Sequence, residues 1–133
     1  MAIHNETTKG NEFHLGTHII AEFFGCSNLE DKPLIQEGLK EAASRCGATI
    51  IHTKFHEFSP HGLTGYLLLA ESHISIHTWP EYHYAAVDIF TCGNLRPEEG
   101  LKHLENILKA SKVKTKKILR GRECGPSLEN PEV

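Results

Sequence analysis

Glu71, Ser72, His73, Ile74, Ser75, Ile76, His77, Thr78, Trp79 and Pro80 form the stretch whose reading decides the fold. His73 and His77 stand four apart, the spacing that sets two metal ligands on one face of a helix. The residues around them oppose a helix, because Ile74, Ile76 and Thr78 are β-branched and Pro80 closes the run. Read as a strand, the stretch alternates, with His73, Ser75, His77 and Trp79 on one face and Ser72, Ile74, Ile76 and Thr78 on the other. Four strand residues span about 13 Å, so His73 and His77 cannot share one zinc, and His52 and His56 fail the same test. No metal is expected. Ser72 and His77 are not automatic neighbours and meet only if the chain turns or breaks near Glu71. A hydrolase nucleophile elbow is also disfavoured, since Ala70 and Ile74 stand where its glycines belong.

Working outward, residues 49–58 and 63–71 read as strands before this one and residues 84–91 as a strand after it. Residues 18–24, rich in β-branched and aromatic side chains, predict a strand near the start. Between 18–24 and 49–58, caps at 28–31, Pro33 in a first turn and apolar residues Leu34, Ile35, Leu39, Ala42, Ala43 and Cys46 predict an amphipathic helix ending at Gly47. Pro97, Leu101, Leu104, Ile107 and Leu108 predict a second, and the Lys-rich run 113–119 suits an edge strand. Strand, helix, several strands, helix, strand implies an α+β fold, a two-layer α/β sandwich with both helices on one face of a largely antiparallel sheet. The other sheet face must be polar or covered, and dimerisation is one way to cover it.

Composition sets the outer bounds. The chain has 133 residues, enough for one domain over 1–133 with a core that needs no disulfide staples. With 39% hydrophobic and 23% charged residues and a net charge of -3, it is neither disordered in composition nor basic enough for a nucleic-acid footprint. The longest apolar run, 66–70, is far short of a membrane span, and the first dozen residues lack the apolar core of a secretory signal. A cytoplasmic location is the expectation. Cys26, Cys46, Cys92 and Cys124 stand far apart and read as free thiols. Residues 1–13 and 121–133 are polar and aperiodic and are expected to be loose. Six of the ten histidines fall within 52–83, and His52, His56, His61 and His103 read by default as half-exposed strand or loop residues.

The run from Ala70 to Glu81, continued by Tyr84, Ala85, Ala86, Val87, Asp88, Ile89, Phe90, Thr91, Cys92 and Gly93, closely resembles the self-processing site of prokaryotic S-adenosylmethionine decarboxylase proenzymes. The resemblance extends through Phe55, His56, Phe58, Pro60, Gly62, Thr64 and Gly65 to Gly16, His18, Glu22, Phe23 and Cys26, covering roughly residues 16–121. It implies self-cleavage between Glu71 and Ser72 into a β chain, 1–71, and an α chain, 72–133. The Ser72 hydroxyl would attack the preceding carbonyl, and elimination from the resulting ester would leave a pyruvoyl group. His77 is implied as the base for the serine α-proton. The pyruvoyl carbonyl would form a Schiff base with the α-amine of S-adenosylmethionine and act as electron sink. Cys92 is implied as the proton donor at Cα, against its default as a buried thiol.

Phe58 resembles an aromatic that stacks on adenine, and Glu81 a carboxylate for the ribose hydroxyls. Without the resemblance, Phe58 reads as core and Glu81 as a solvated turn. The family's processing serine is Thr64 here, which keeps the hydroxyl, and His83 stands where relatives often have glycine. The implied product is the aminopropyl donor of spermidine synthesis, made by a homodimer of cleaved protomers. Two alternatives compete: a pyruvoyl-dependent arginine or ornithine decarboxylase on the same fold, disfavoured by Phe58 and Glu81, and an unprocessed partner subunit, disfavoured by intact Ser72, His77 and Cys92.

Overall fold

A computed structural model describes residues 13–125. The elements run β1 (Gly16–Phe24), α1 (Lys32–Cys46), β2 (Ile50–Glu57), β3 (Leu63–Leu69), β4 (Ser72–Trp79), β5 (Tyr84–Cys92), α2 (Pro97–Leu108) and β6 (Lys112–Arg120). A short 3₁₀ turn, Pro80–Tyr82, joins β4 to β5. The six strands form one sheet in the order β2-β3-β4-β5-β1-β6, and every neighbouring pair is antiparallel. The expected α+β sandwich is the observed one, with β6 at an edge. The polar residues 1–12 and 126–133, expected to be loose, lie outside the described residues.

Alternation builds the covered face. Ile19, Ala21 and Phe23 of β1, Leu67 and Leu69 of β3, Ile74 and Ile76 of β4 and Ala85, Val87 and Ile89 of β5 are buried against the helices. The α1 side of that core is Ile35, Leu39, Ala42, Ala43 and Cys46, and α2 adds Leu104 and Leu108. Asp31 caps α1 by accepting from the Leu34 N–H at 3.1 Å, and Gly47 closes it at φ 88°. The helices meet at Gly100, where a Cβ would lie 2.8 Å from the Ala42 carbonyl oxygen, so a larger residue there would force them apart.

The strands differ from the sequence expectation mainly at one joint. β3 stops at Leu69 and β4 already starts at Ser72, because Ala70 and Glu71 alone make the turn and Leu69 pairs with Ser72. Neither turn residue is a usual hairpin former, so the sequence hid a two-residue connection. Ser72 carries the local cost with φ 144°, a conformation that L-residues rarely adopt.

Candidate active site

The tight hairpin sets up the first group of site residues. The β4–β5 register pairs His73 with Phe90, and continuing it brings Cys92 opposite Glu71. There the Cys92 thiol donates to the Glu71 carbonyl oxygen at 3.5 Å, the carbonyl of the Glu71–Ser72 peptide bond. Burial pushes the Cys92 thiol up, with the Glu71 carboxylate adding to the effect, so it keeps the proton it donates. The turn is anchored from the other side, where the Thr49 N–H donates to Glu71 Oε1 at 3.2 Å and the Ala70 N–H to the Thr49 carbonyl at 2.9 Å. A strained serine, the carbonyl before it and a protonated thiol thus share one hairpin tip.

The second group lies further along the sheet. Thr64 and His77 are directly opposed across β3 and β4, and Thr64 Oγ1 is 2.9 Å from His77 Nδ1. Both point to the face that the helices leave open. His77 stands five residues beyond Ser72 on one continuous strand, so their backbones are about 17 Å apart at the usual rise. Within one chain the hydroxyl–imidazole pair and the Glu71–Ser72 peptide bond do not meet.

Phe58 and Glu81 lie beyond the opposite end of β4 from Ser72. Phe58 follows β2 and is 50% exposed, so it does not belong to the core. Glu81 sits in the 3₁₀ turn after Trp79, and its carboxylate Oε1 is 3.1 Å from His61 Nε2. His61 was expected only as a half-exposed loop residue. Glu30, Glu57, Phe58 and His61 border a hollow of about 430 Å³ at this end.

Sequence reading missed the polar hub of the open face. Asp88 accepts from the Ser75 hydroxyl at one oxygen and from His18 Nε2 at 2.6 Å and His73 Nε2 at 3.0 Å at the other. Arg120 Nη1 lies 2.9 Å from His18 Nδ1; a guanidinium only donates, so Nδ1 accepts and Nε2 carries the proton given to Asp88. Burial alone would raise the Asp88 pKa, but hydrogen bonds from His73, Ser75 and His18, with the charge of His73, override it and hold the carboxyl well below the usual range. His18, His73 and Asp88 place three ligand atoms within 4.8 Å of one another, the one such grouping among the described residues. A metal at His18 Nε2 would need the lone pair that Arg120 leaves protonated, so the contacts describe a hydrogen-bonded network. Period-two alternation places all four residues on one face, but their register across three strands is not written in any one stretch.

His83 also gains an account. It adopts φ 52°, which explains why glycine serves at this position, and its Nδ1 lies 3.2 Å from the Cys26 carbonyl oxygen. The Cys26 N–H donates back to the His83 carbonyl at 2.9 Å, so the histidine ties the end of β1 to the β4–β5 turn.

The open face is not an ordinary solvent face. Ile20, Tyr66, Leu68 and Trp79 are each exposed by 40–44%, beside a depression of about 450 Å³ bordered by Glu22, Ser75, His77, Tyr84 and Asp88. Among the described residues no helix is long and apolar enough to cross a membrane.

Comparison with known proteins bears directly on this arrangement. A family model described as S-adenosylmethionine decarboxylase matches residues 17–121. The chain is 51% identical over 110 residues to an S-adenosylmethionine decarboxylase proenzyme of Methanococcus maripaludis, covering 80% of this chain and 90% of that one. It is 46% identical over 122 residues to the proenzyme of the same name from Thermotoga petrophila, covering 88% and 94%. The crystal structure of the adenosylmethionine decarboxylase from Aquifex aeolicus superposes with a TM-score of 0.75 at 36% identity, covering 81% of this chain and 92% of that one.

Proposed function

The chain belongs to the S-adenosylmethionine decarboxylase family, and from that premise we propose that it decarboxylates S-adenosylmethionine with a pyruvoyl group made from its own Ser72. The observation that carries this reading is the hairpin tip, where a strained Ser72 follows a carbonyl already hydrogen-bonded by the Cys92 thiol. In processing, the Ser72 hydroxyl adds to the Glu71 carbonyl carbon, and the C–N bond breaks as the hydroxyl proton passes to the departing nitrogen. The thiol donor at the carbonyl oxygen stabilises the charge that grows there. Removal of the Ser72 α-proton from the ester then expels the Glu71 carboxylate. Water replaces the nitrogen of the residue left behind, releasing ammonia and leaving a β chain of 1–71 and an α chain of 72–133.

The residues around Ser72 suit such a group, since the Cys92 thiol lies 3.5 Å from the Glu71 carbonyl oxygen, within reach of the position where it would form. A pyruvoyl group joined to the substrate amine supplies a sink for the electron pair released as carbon dioxide leaves. Cys92, kept protonated by burial, returns a proton at the substrate Cα. Phe58 stacks on the adenine and Glu81 accepts from the ribose hydroxyls. The product is the aminopropyl donor for spermidine synthesis. A free Cys92 thiol is required throughout, which favours a reducing, cytoplasmic setting.

One chain does not hold a whole site on this reading. The Ser72–Cys92 hairpin tip lies at one end of β4, while His77, Phe58 and Glu81 lie towards or beyond the other end. A second copy packed on this face about a two-fold axis, its β4 running the opposite way, brings its Thr64 and His77 towards the first copy's Ser72. The exposure of Ile20, Tyr66, Leu68 and Trp79 on this face, apolar surface that a second copy would cover, supports such a homodimer. His77, oriented through Nδ1 by Thr64, is the base for the Ser72 α-proton.

The test mixes two defective chains. Ser72→Ala and His77→Ala are each expected to stay uncleaved when expressed alone, and refolded together they are expected to regain cleavage of the His77→Ala chain. Intact mass reads the cut between Glu71 and Ser72, and reductive trapping with S-adenosylmethionine tags the α chain. A His77→Ala chain that processes normally alone, or a cleaved wild-type chain that S-adenosylmethionine does not trap, overturns the reading.

A further inference from the structure

Resting on the reading of Glu81 as a ribose contact, we propose that His61 is a positioning residue for nucleoside recognition. It holds the Glu81 carboxylate beside the hollow that Phe58 and His61 border. Glu81 stands in a three-residue turn with its side chain 41% exposed, and a free glutamate there would lose rotamer freedom each time a nucleoside bound. His61 Nε2, 3.1 Å from Glu81 Oε1, restrains one carboxylate oxygen by donating to it. The second oxygen keeps its lone pairs for the sugar.

The backbone makes His61 a fit anchor. Its loop is closed by the Phe58 N–H donating to the Gly62 carbonyl at 2.8 Å, with Gly62 at φ 109° where a side chain would be strained. The loop is pinned to β4, because the Leu63 N–H donates to Thr78 Oγ1 at 3.0 Å. The turn carrying Glu81 leaves that same end of β4, closed by the His83 N–H on the Pro80 carbonyl at 3.1 Å. Phe58 and Glu81 therefore belong to two segments fixed at their bases to one strand end, and the His61–Glu81 pair joins their tips. The Glu81 carboxylate is thus held in place before substrate arrives.

The experiment compares processed holoenzymes carrying His61→Ala, His61→Gln, Glu81→Gln and His61→Ala with Glu81→Gln, each checked by mass for complete cleavage. His61→Ala is expected to raise KM for S-adenosylmethionine about threefold to fivefold, the scale of a partly exposed pair, with the loss confined to KM. Binding of an adenosine 5′-thioether lacking the amino-acid group weakens by the same factor. His61→Gln keeps an N–H donor and recovers most of the affinity. Glu81→Gln is expected to raise KM about tenfold, and adding His61→Ala to it changes nothing more. If Glu81→Gln leaves KM unaltered, the ribose reading itself fails and takes this proposal with it. If Glu81→Gln weakens binding but His61→Ala does not, or if the two effects add in full, or if His61→Gln is no better than His61→Ala, only the positioning role falls.

Discussion

The two faces of the one sheet are built from the same alternating strands yet hold opposite things. On β4, Ile74, Ile76 and Thr78 disappear beneath the helices, while Ser75, His77 and Trp79 stay partly or fully exposed on the other side. On β5, Ala85, Val87 and Ile89 are buried where Tyr84, Ala86 and Asp88 are half-covered. The covered face takes mostly shape and apolar area, with the buried Thr78 hydroxyl hydrogen-bonded to backbone, so it stores stability. The open face spends central-strand positions on a carboxylate, three histidines and a scattering of large apolar groups. That mixture suits neither a core nor a solvent face, and it fits the proposal that chemistry and a second copy meet on this side. Division of labour between faces explains how so short a chain holds a rigid scaffold and a reactive surface together.

A substitution in the covered face measures how far the division goes. Leu39 is fully buried in α1 against the sheet, so Leu39→Ala removes about 2–5 kcal/mol of stability by lost burial and a residual cavity. Urea unfolding of the Ser72→Ala chain, which on the proposed mechanism stays uncut, reads this with one covalent species present. A cost below about 1 kcal/mol would break the comparison, since the helices would then not be the main store of stability.

Asp88 sharpens it from the open side. Its folded pKa is depressed, so its contribution to stability is present above the ordinary carboxylate range and is lost as pH falls towards the folded value. Asp88→Asn in the same background removes the charge on which three donors converge, at an expected cost of about 1–3 kcal/mol at pH 7. The difference from the parent narrows below about pH 4, as the unfolded chain's carboxylate takes up a proton that the folded one still refuses. A pH-independent difference would mean that the hub matters for its shape and not for its charge.

How much of this was legible follows from the same contrast. Leu34 to Cys46 announced α1 by period, and the β-branched run at 74–78 announced β4, because each signal is local and its competitors are poor. Ser72 and Cys92 were found by resemblance and not by spacing, and their contact depends on a two-residue turn that Ala70 and Glu71 do not advertise. The separation of His77 from Ser72 was readable, since the strand assignment put them on opposite faces. The Asp88 hub was not, because it gathers residues from β1, β4 and β5 and from β6 through Arg120, and only the strand order says who lies beside whom. His61 stayed hidden for the same reason, its partner lying twenty residues away across a loop.

The smallest expected effect lies where the covered face reaches the sheet edge. Lys117 of β6 points to the helix layer and donates to Glu98 of α2 at 2.8 Å, both side chains 54% exposed. Burial alone would raise the Glu98 pKa, but the lysine pulls it below the usual value, so the pair's contribution is present above the glutamate range and fades as pH falls. Half-exposed ions gain little over their hydration and lose side-chain freedom in meeting, so Lys117→Ala is expected to cost no more than about 0.5 kcal/mol. In 1 M salt, where the Debye length is about 3 Å, that difference should vanish. A cost as large as that of Asp88→Asn, surviving high salt, would show the helix layer to be docked by charge as well as by apolar packing, and the line between the two faces would have to be redrawn at this edge.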